Sequence, residues 1–405
     1  MEKRTIRDLD VTGARVLLRT DYNVEVEGDS VLDDIRLVAS LPTLRELRAA
    51  GARTAICSHR GRPKGTAREA LSNRPLAAHL SQLLGAPVET ASDCVGGAVE
   101  AAIEGLEPGG VLLLENVRFH PGEESNDPDF ARELARLGDV YVNDAFGALH
   151  RAHASIVGVP RYLPSAAGLL VEREVEALET VAVNPERPSA LVLGGVKAED
   201  KLPMVEHLLP QLDVLCLGGL VGMAVLRAAG LEMPGVTVDA ATSERAKRLI
   251  EQVRLRPEFR LVLPCTVTAT DGLRTLAMSP VQLTEAWQVV DMGAVTVAAF
   301  QEALIGCRTI IWNGPMGVFE RSPFDSATNE IASFLAELPS RTVVAGGETS
   351  AAVRRCGVAE SFTHVSTGGG AALQLLSGQR LPGLDALPDR DSSMRLSRAS
   401  DQPHE

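Results

Sequence analysis

RTAICSHRGRPK occupies residues 53–64, and its two halves obey different rules. Arg53 to Ser58 is a short apolar run of the kind that forms a buried strand. His59, Arg60, Gly61, Arg62, Pro63 and Lys64 then place three fixed cations and a histidine around a glycine and a proline, residues that favour a loop over a helix. A strand that ends in a cationic loop is either a solvated turn or a seat for an anion. Whether other strands end in the same way decides between them.

Three more do. ARVLLRTDYNV (14–24) finishes in Asp21-Tyr22-Asn23, with Arg36 in the helical stretch that follows. GVLLLEN (110–116) runs into Val117-Arg118-Phe119-His120, and VYVND (140–144) leads through Ala145-Phe146-Gly147 to His150-Arg151-Ala152-His153. Strands alternating with helical patterns predict right-handed crossovers and a parallel sheet covered on both faces. Active groups in such sheets gather at the carboxyl ends of the strands. Arg36, Arg62, Arg118 and Arg151, with His59, are therefore expected along one edge. Like charges converging there are destabilising unless an anion sits among them, and the arginine fork suits phosphate and carboxylate. The first half reads as a polyanion site, with Arg60 and Lys64 as ordinary surface charge.

The second half repeats the alternation with SALVLGG (189–195), VLCLGG (214–219), LVLPCTV (261–267), TIIWNG (309–314), TVVAGGE (342–348) and THVSTGGG (363–370). Its strand ends are rich in glycine: Gly194-Gly195, Gly218-Gly219, Asn313-Gly314-Pro315-Met316-Gly317, Gly346-Gly347-Glu348-Thr349 and Ser366-Thr367-Gly368-Gly369-Gly370. Glycine lets the backbone approach a phosphate, and the helix that follows offers free N–H groups. One such turn is ordinary in a parallel sheet; five in one half read as a nucleotide site. Lys197 and Lys201 follow the first turn at a spacing of four, which in a helix puts both ammonium groups on one face.

Bulk properties narrow the classes. At 405 residues the chain exceeds one hydrophobic core, so two domains are expected. AAGLLVEREVEALETVAV (166–183) reads as a helix joining them, and NPERP (184–188) as the entry to the second. A net charge of -13 and 3% aromatic residues argue against nucleic acid, which demands a broad basic face. Charged residues interrupt every apolar run before membrane-spanning length, and the six cysteines form no CxxC pair, so neither zinc nor a disulfide framework is suggested. A cytoplasmic location is expected. GxxxxGK[ST], HRD and DFG are absent, and GGLVG (218–222) falls short of GxGxxG, which excludes P-loop and protein-kinase classes and disfavours a dinucleotide oxidoreductase.

An anion site and a nucleotide site on two domains that close on each other suggest phosphoryl transfer, a reaction run by positioning and charge neutralisation. A hydroxyl acceptor would call for a carboxylate base. A carboxylate acceptor, with a pKa of roughly 4, is already ionised and needs cations instead. The inventory of arginines and lysines fits the carboxylate.

These segments resemble the phosphoglycerate kinase family from about residue 5 to residue 387, through RTDYNV, DDIRLVASLPTL, SHRGRPKG, LLLENVRFHPGEESNDPDFARELA, VYVNDAFGALHRAHAS, LGGVKAEDKL, WNGPMGVFE, GGETSAA and VSTGGGAAL. The resemblance implies an α/β fold of two doubly wound, Rossmann-like parallel-sheet domains joined by a hinge helix across a cleft. It implies a 3-phosphoglycerate domain over 1–165, an interdomain helix over 166–183 and a nucleotide domain over 184–375. A segment over 376–387 would return to the first domain, before a disordered tail over 388–405. It implies reversible, glycolytic phosphorylation of the 3-phosphoglycerate carboxylate by ATP with Mg2+, in a monomer.

By the same resemblance Asp21, Asn23, Arg36, His59, Arg62, Arg118 and Arg151 hold the phosphoglycerate, and Arg36 also lies near the transferring group. Lys197 and Lys201 neutralise the nucleotide phosphates and the transition state. Gly219 binds the nucleotide and Glu320 meets its ribose, while Gly346, Gly347, Glu348, Thr349, Gly368 and Gly369 bind phosphate, with Glu348 on the metal. Departures fall mainly in the nucleotide half: Glu348 stands in place of aspartate, Ala345 and Leu220 in place of glycines, and Cys265 in place of valine-aspartate. Arg60 replaces a leucine. Two other readings compete, a paralogue that phosphorylates another phosphorylated or phosphonylated acid, and a binding protein that has lost catalysis.

Overall fold

The computed structural model describes residues 1–233 and 236–390. The chain forms two compact units, Met1–Glu176 together with the stretch from Arg380 onward, and Ala177–Gln379. The boundary falls inside the helix Leu169–Val183.

Six parallel strands build the first unit: β1 (Arg15–Arg19), β2 (Arg53–Cys57), β3 (Glu89–Thr90), β4 (Val111–Leu113), β5 (Val140–Asn143) and β6 (Ser165–Ala167). They lie in the order β3-β4-β2-β1-β5-β6, with Val16 opposite both Thr54 and Val140. The chain lays β2, β3 and β4 on one side of β1, with β4 inserted between β2 and β3, and then restarts on the other side. At that reversal the loops part, leaving room above the carboxyl ends of β1, β2, β4 and β5. Val16, Leu18, Ile56, Leu113 and Val142 meet Leu37, Leu41 and Leu44 of the helix Ile35–Ala49 in one core. Each such fully buried aliphatic contributes about 1.5–3 kcal/mol.

The second unit also has a six-stranded parallel sheet, with a different strand order. Strands β7 (Ser189–Leu193), β8 (Val214–Leu217), β9 (Arg260–Val262), β13 (Thr309–Asn313), β14 (Arg341–Ala345) and β15 (His364–Val365) are parallel and ordered β9-β8-β7-β13-β14-β15. A separate antiparallel sheet holds β10 (Val267–Thr270), β11 (Thr275–Met278) and β12 (Gln288–Met292). LVLPCTV is thus two strands in two sheets. Pro264, which has no N–H to give a ladder, separates them.

Two further expectations are corrected. The helix expected from residue 166 begins at Leu169, because Ser165–Ala167 is an edge strand paired to β5. Gly168 makes the change of direction possible. A methyl there would stand 2.3 Å from Asp144 Oδ1, the oxygen that accepts from Leu170 N at 2.8 Å and caps the new helix. The first residues of the expected disordered tail are also anchored: Lys3 pairs with Asp389 at 2.7 Å and Arg390 with Asp8 at 2.7 Å. Residues 391–405 lie outside the described residues. Among the described residues no helix is long and apolar enough to cross a membrane.

Candidate active site

At the carboxyl edge of the first sheet, Arg36 Nη1 donates to Asp21 Oδ1 at 2.9 Å and to the Asn23 carbonyl at 3.3 Å. Asn23 Oδ1 in turn accepts from Gly61 N at 2.8 Å, and Arg118 Nη1 donates to the Gly61 carbonyl at 2.7 Å. One chain of contacts therefore ties the turns after β1, β2 and β4. Arg36, Arg118 and Arg151 all act electrostatically on His59, so these groups surround one locus. Arg62 is exposed on the same loop.

The charge of Arg118 is only partly met by the described protein groups. Arg118 is 2% exposed, and its Nε and Nη2 are buried without a hydrogen-bond partner among the described residues. Glu124 lies 3.5 Å from Nε, yet is not aligned to accept from it. Burial, with Arg19 and Arg151 nearby, pulls the Arg118 guanidinium down to about 10. The histidines answer the same field by giving up their charge. Burial first, then the arginines, holds His59 well below its ordinary value and His153 down to about 4. His59 belongs to the site as a neutral ring rather than as a further cation.

Two side chains differ from the sequence reading. Arg60 is no surface charge: it is 4% exposed, with Nη2 donating to the Ala70 carbonyl at 2.8 Å and Nη1 to that of Ser72. Glu115 lies within its electrostatic reach, so the guanidinium is sheltered among acceptors and fastens the loop from below. Arg19 was missed. Fully buried, it donates from Nε to Ser155 Oγ at 2.7 Å, reaches His59 Nδ1 at 3.3 Å from Nη2, and lies 3.8 Å from Glu123 Oε1. An arginine at the end of the apolar run VLLR is the one signal the sequence offered.

In the second unit three turns interlock. Gly195 N donates to the Pro315 carbonyl at 2.8 Å, Leu220 N to the Gly195 carbonyl at 2.9 Å, and Gly194 N to the Asn313 carbonyl at 2.9 Å. No side chain fits between them, since a methyl on Gly219 would lie 2.6 Å from the Gly195 carbonyl and one on Gly194 2.2 Å from that of Pro315. Into this frame comes Lys201, whose Nζ donates to Asn313 Oδ1 at 2.6 Å. Burial lowers its ammonium to about 8, opposed by Glu348 and Asp200.

Lys197 does not share that face. It caps the helix Ala198–Leu208 in extended backbone, and its exposed ammonium stands 4.0 Å from Asp200. The spacing argument fails because a residue outside the helix does not follow helical rotation.

The remaining glycine turns form a cradle. Gly346 (φ +99°) and Gly347 open the helix Gly347–Arg355, and Gly368 caps the helix Gly369–Leu376. A methyl on Gly369 would approach Gly347 N to 3.1 Å, so the two helix starts are neighbours, while a methyl on Gly347 would meet only open space. Thr349 is buried and uses Oγ1 to accept from Gly314 N at 2.6 Å. A cavity of about 340 Å3 adjoins the cradle, lined by Gly195, Gly219, Leu220, Trp287, Asp291, Met316, Glu320 and Glu348. Asp291 was passed over as a site residue; burial pushes its carboxyl up to about 7. Among the described residues this unit therefore presents an apolar slot, two neighbouring helix N-termini, the buried Lys201 ammonium and an exposed carboxylate, the complement of a nucleoside polyphosphate.

The comparisons agree with that chemistry. A phosphoglycerate kinase family profile matches residues 6–379. The phosphoglycerate kinase of Pelotomaculum thermopropionicum is 46% identical over 396 residues, spanning 96% of this chain and 100% of the relative. That of Thermomicrobium roseum is 47% identical, spanning 95% and 99%. The crystal structure of the Pyrococcus horikoshii phosphoglycerate kinase superposes with a TM-score of 0.84 at 31% identity, covering 95% of this chain and 98% of the other. The Coxiella burnetii structure gives 0.82 at 32%, with the same coverage. An arginine cluster at the strand ends of one parallel-sheet unit and glycine-lined helix starts in the other occur here on a match along almost the whole chain, which belongs to the phosphoglycerate kinase family, a phosphotransferase with a carboxyl group as acceptor.

Proposed function

We propose that the chain transfers the ATP γ-phosphate reversibly to the carboxylate of 3-phosphoglycerate, as a cytoplasmic, monomeric enzyme of glycolysis. The observation that carries the reading is Arg118, whose buried Nε and Nη2 have no hydrogen-bond partner among the described residues. Leaving buried charged donors unmet costs several kcal/mol unless a ligand meets them, and a phosphorylated acid does so.

In this reading Asp21 and Asn23 orient Arg36 and the loop that carries His59 and Arg62, as their contacts with Arg36 and Gly61 suggest. Arg62, Arg118 and Arg151 take the phosphate of the acid, and neutral His59 contributes a hydrogen bond without adding charge. The acid's own carboxylate is the nucleophile. It attacks the γ-phosphorus as the bond to the ADP oxygen breaks, and no proton has to move. Arg36 offsets charge on the transferring group. Lys201 does so from the nucleotide side, joined by Lys197 once its exposed side chain swings from Asp200. Glu320 meets the ribose beside Gly219, and the turns at 346–349 and 368–369 receive phosphate oxygens. Exclusion of water during transfer would protect the acyl phosphate.

The site also suits Mg2+. Glu348 is an exposed carboxylate at the first turn of its helix and lines the cavity, a hard oxygen donor of the type this ion takes. When bound with the nucleotide, the ion neutralises phosphate charge.

The test is a coupled assay with 3-phosphoglycerate, MgATP and an NADH-consuming dehydrogenase. Turnover that disappears in Arg36→Ala supports the reading. Absence of turnover with every common nucleotide overturns it.

A further inference from the structure

We propose a second site on the first unit, in which Asp93, Cys94 and His120 hold a zinc-class divalent cation. A carboxylate oxygen of Asp93, the Cys94 sulfur and a ring nitrogen of His120 all lie within 4.8 Å of one another. Tetrahedral zinc, with bonds of about 2.0–2.3 Å, sets its ligands roughly 3.3–3.8 Å apart. The three atoms are thus within an ångström or so of a coordinating arrangement. His120 Nε2 and Asp93 Oδ1, now 2.7 Å apart, need only separate slightly to admit the ion.

Backbone and ring contacts hold the donors in place beforehand. Asp93 O accepts from Glu115 N at 3.3 Å, and the His120 ring stacks on Phe130 with centroids 5.0 Å apart. The mixture of sulfur, nitrogen and oxygen selects zinc-like ions over magnesium or calcium, which prefer oxygen alone. Asp93 is exposed, His120 half-buried and Cys94 buried, so an ion enters from the Asp93 side and keeps a water there. On binding, the Cys94 thiol releases its proton to solvent and the thiolate bonds the metal; nothing is oxidised or reduced. Sequence spacing hid the site, because the histidine lies on a different turn from the Asp-Cys pair. Bound metal would staple the segment after β3 to the turn that carries Arg118, two residues before His120.

The experiment titrates the full chain, first stripped with a chelator, with Co2+ alone, reading the near-ultraviolet thiolate-to-cobalt absorption. One equivalent is expected to generate the band, zinc to bleach it, and Cys94→Ala to lack it. Asp93→Asn, a change at an exposed position, should weaken Co2+ binding about ten-fold or more, which guards against misfolding of the buried variant. A wild-type chain with no band, or a band of equal strength in Cys94→Ala arising from another of the six cysteines, overturns the proposal.

Discussion

Lys201 donates its ammonium to Asn313 Oδ1 at 2.6 Å, across 112 positions of sequence. The contact joins the helix after β7 to the end of β13, the two neighbouring strands at which the second sheet reverses its winding. A methyl on Gly314 would stand 2.6 Å from the same nitrogen. The lysine is therefore enclosed by backbone that can come no closer if it carries a side chain.

That enclosure makes nucleotide binding depend on pH. With its pKa lowered to about 8, Lys201 in the free enzyme loses charge as pH rises past 8, while bound phosphate favours the protonated form. Nucleotide Kd should rise by up to about ten-fold per pH unit above that point. Lys201→Met should flatten the profile and lower kcat by about 10²–10³. Calorimetric titrations at pH 7 and 9 check this; a parallel pH profile in both proteins would refute it.

Arg118 should trade stability for affinity. In Arg118→Met the KM for the phosphorylated acid is expected to rise about 100-fold, equivalent to roughly 3 kcal/mol from a lost charge-assisted contact. The apo variant should unfold no more easily than wild type, because the buried donors without partners go with the side chain. Inorganic phosphate should raise the wild-type Tm more than that of the variant. Equal shifts would show that Arg118 is not part of the anion seat.

The histidines give the first unit its acid sensitivity. Burial and the neighbouring arginines bring the folded His153 down to about 4, against about 6.5 for an unfolded histidine. Between these values the unfolded chain binds a proton that the folded one refuses, so this contribution is complete above about 6.5 and lost as pH falls through 4. Asp291, raised to about 7, acts in the opposite sense over much of the range, so the difference between His153→Asn and wild type is the informative quantity. Urea midpoints at pH 7 and 5 should fall less in the variant, and an identical fall would refute the assignment.

Glu123 is the buried carboxylate partner of Arg19. It is fully buried, 3.8 Å from Arg19, and accepts from Ser155 N at 2.9 Å and Ser155 Oγ at 2.6 Å. Glu123→Ala leaves the Arg19 charge unpaired in the interior and should cost about 3–5 kcal/mol, read by denaturant unfolding. The double variant Arg19→Met with Glu123→Ala should recover part of that loss. A single variant as stable as wild type would show the pair to be dispensable.

The winding of both sheets was legible because buried parallel strands are continuous apolar runs, and RTAICS, VYVND and SALVLGG stand out against helical patterns. The small antiparallel sheet was not. Its strands VTAT, TLAM and QVVDM include exposed and intermediate positions and carry little apolar signal. Strand β3, two exposed residues long, left no pattern at all. The arginines and the glycine turns were legible as residue types at strand ends, since in each sheet the topology sends every strand end to one edge.

Sequence alone determined which residues arrive at each edge: the arginines after β1, β2, β4 and β5, and the glycine turns after β7, β8, β13, β14 and β15. Only tertiary structure decided what each charge does there. Arg60 and Arg62 are two residues apart, yet one is sealed under the loop and the other faces solvent. Lys197 and Lys201 are four apart, yet one stands in water and the other between glycines. The reason is physical. A charge's role depends on its desolvation and on the partners within a few ångströms, and those partners come from distant parts of the chain.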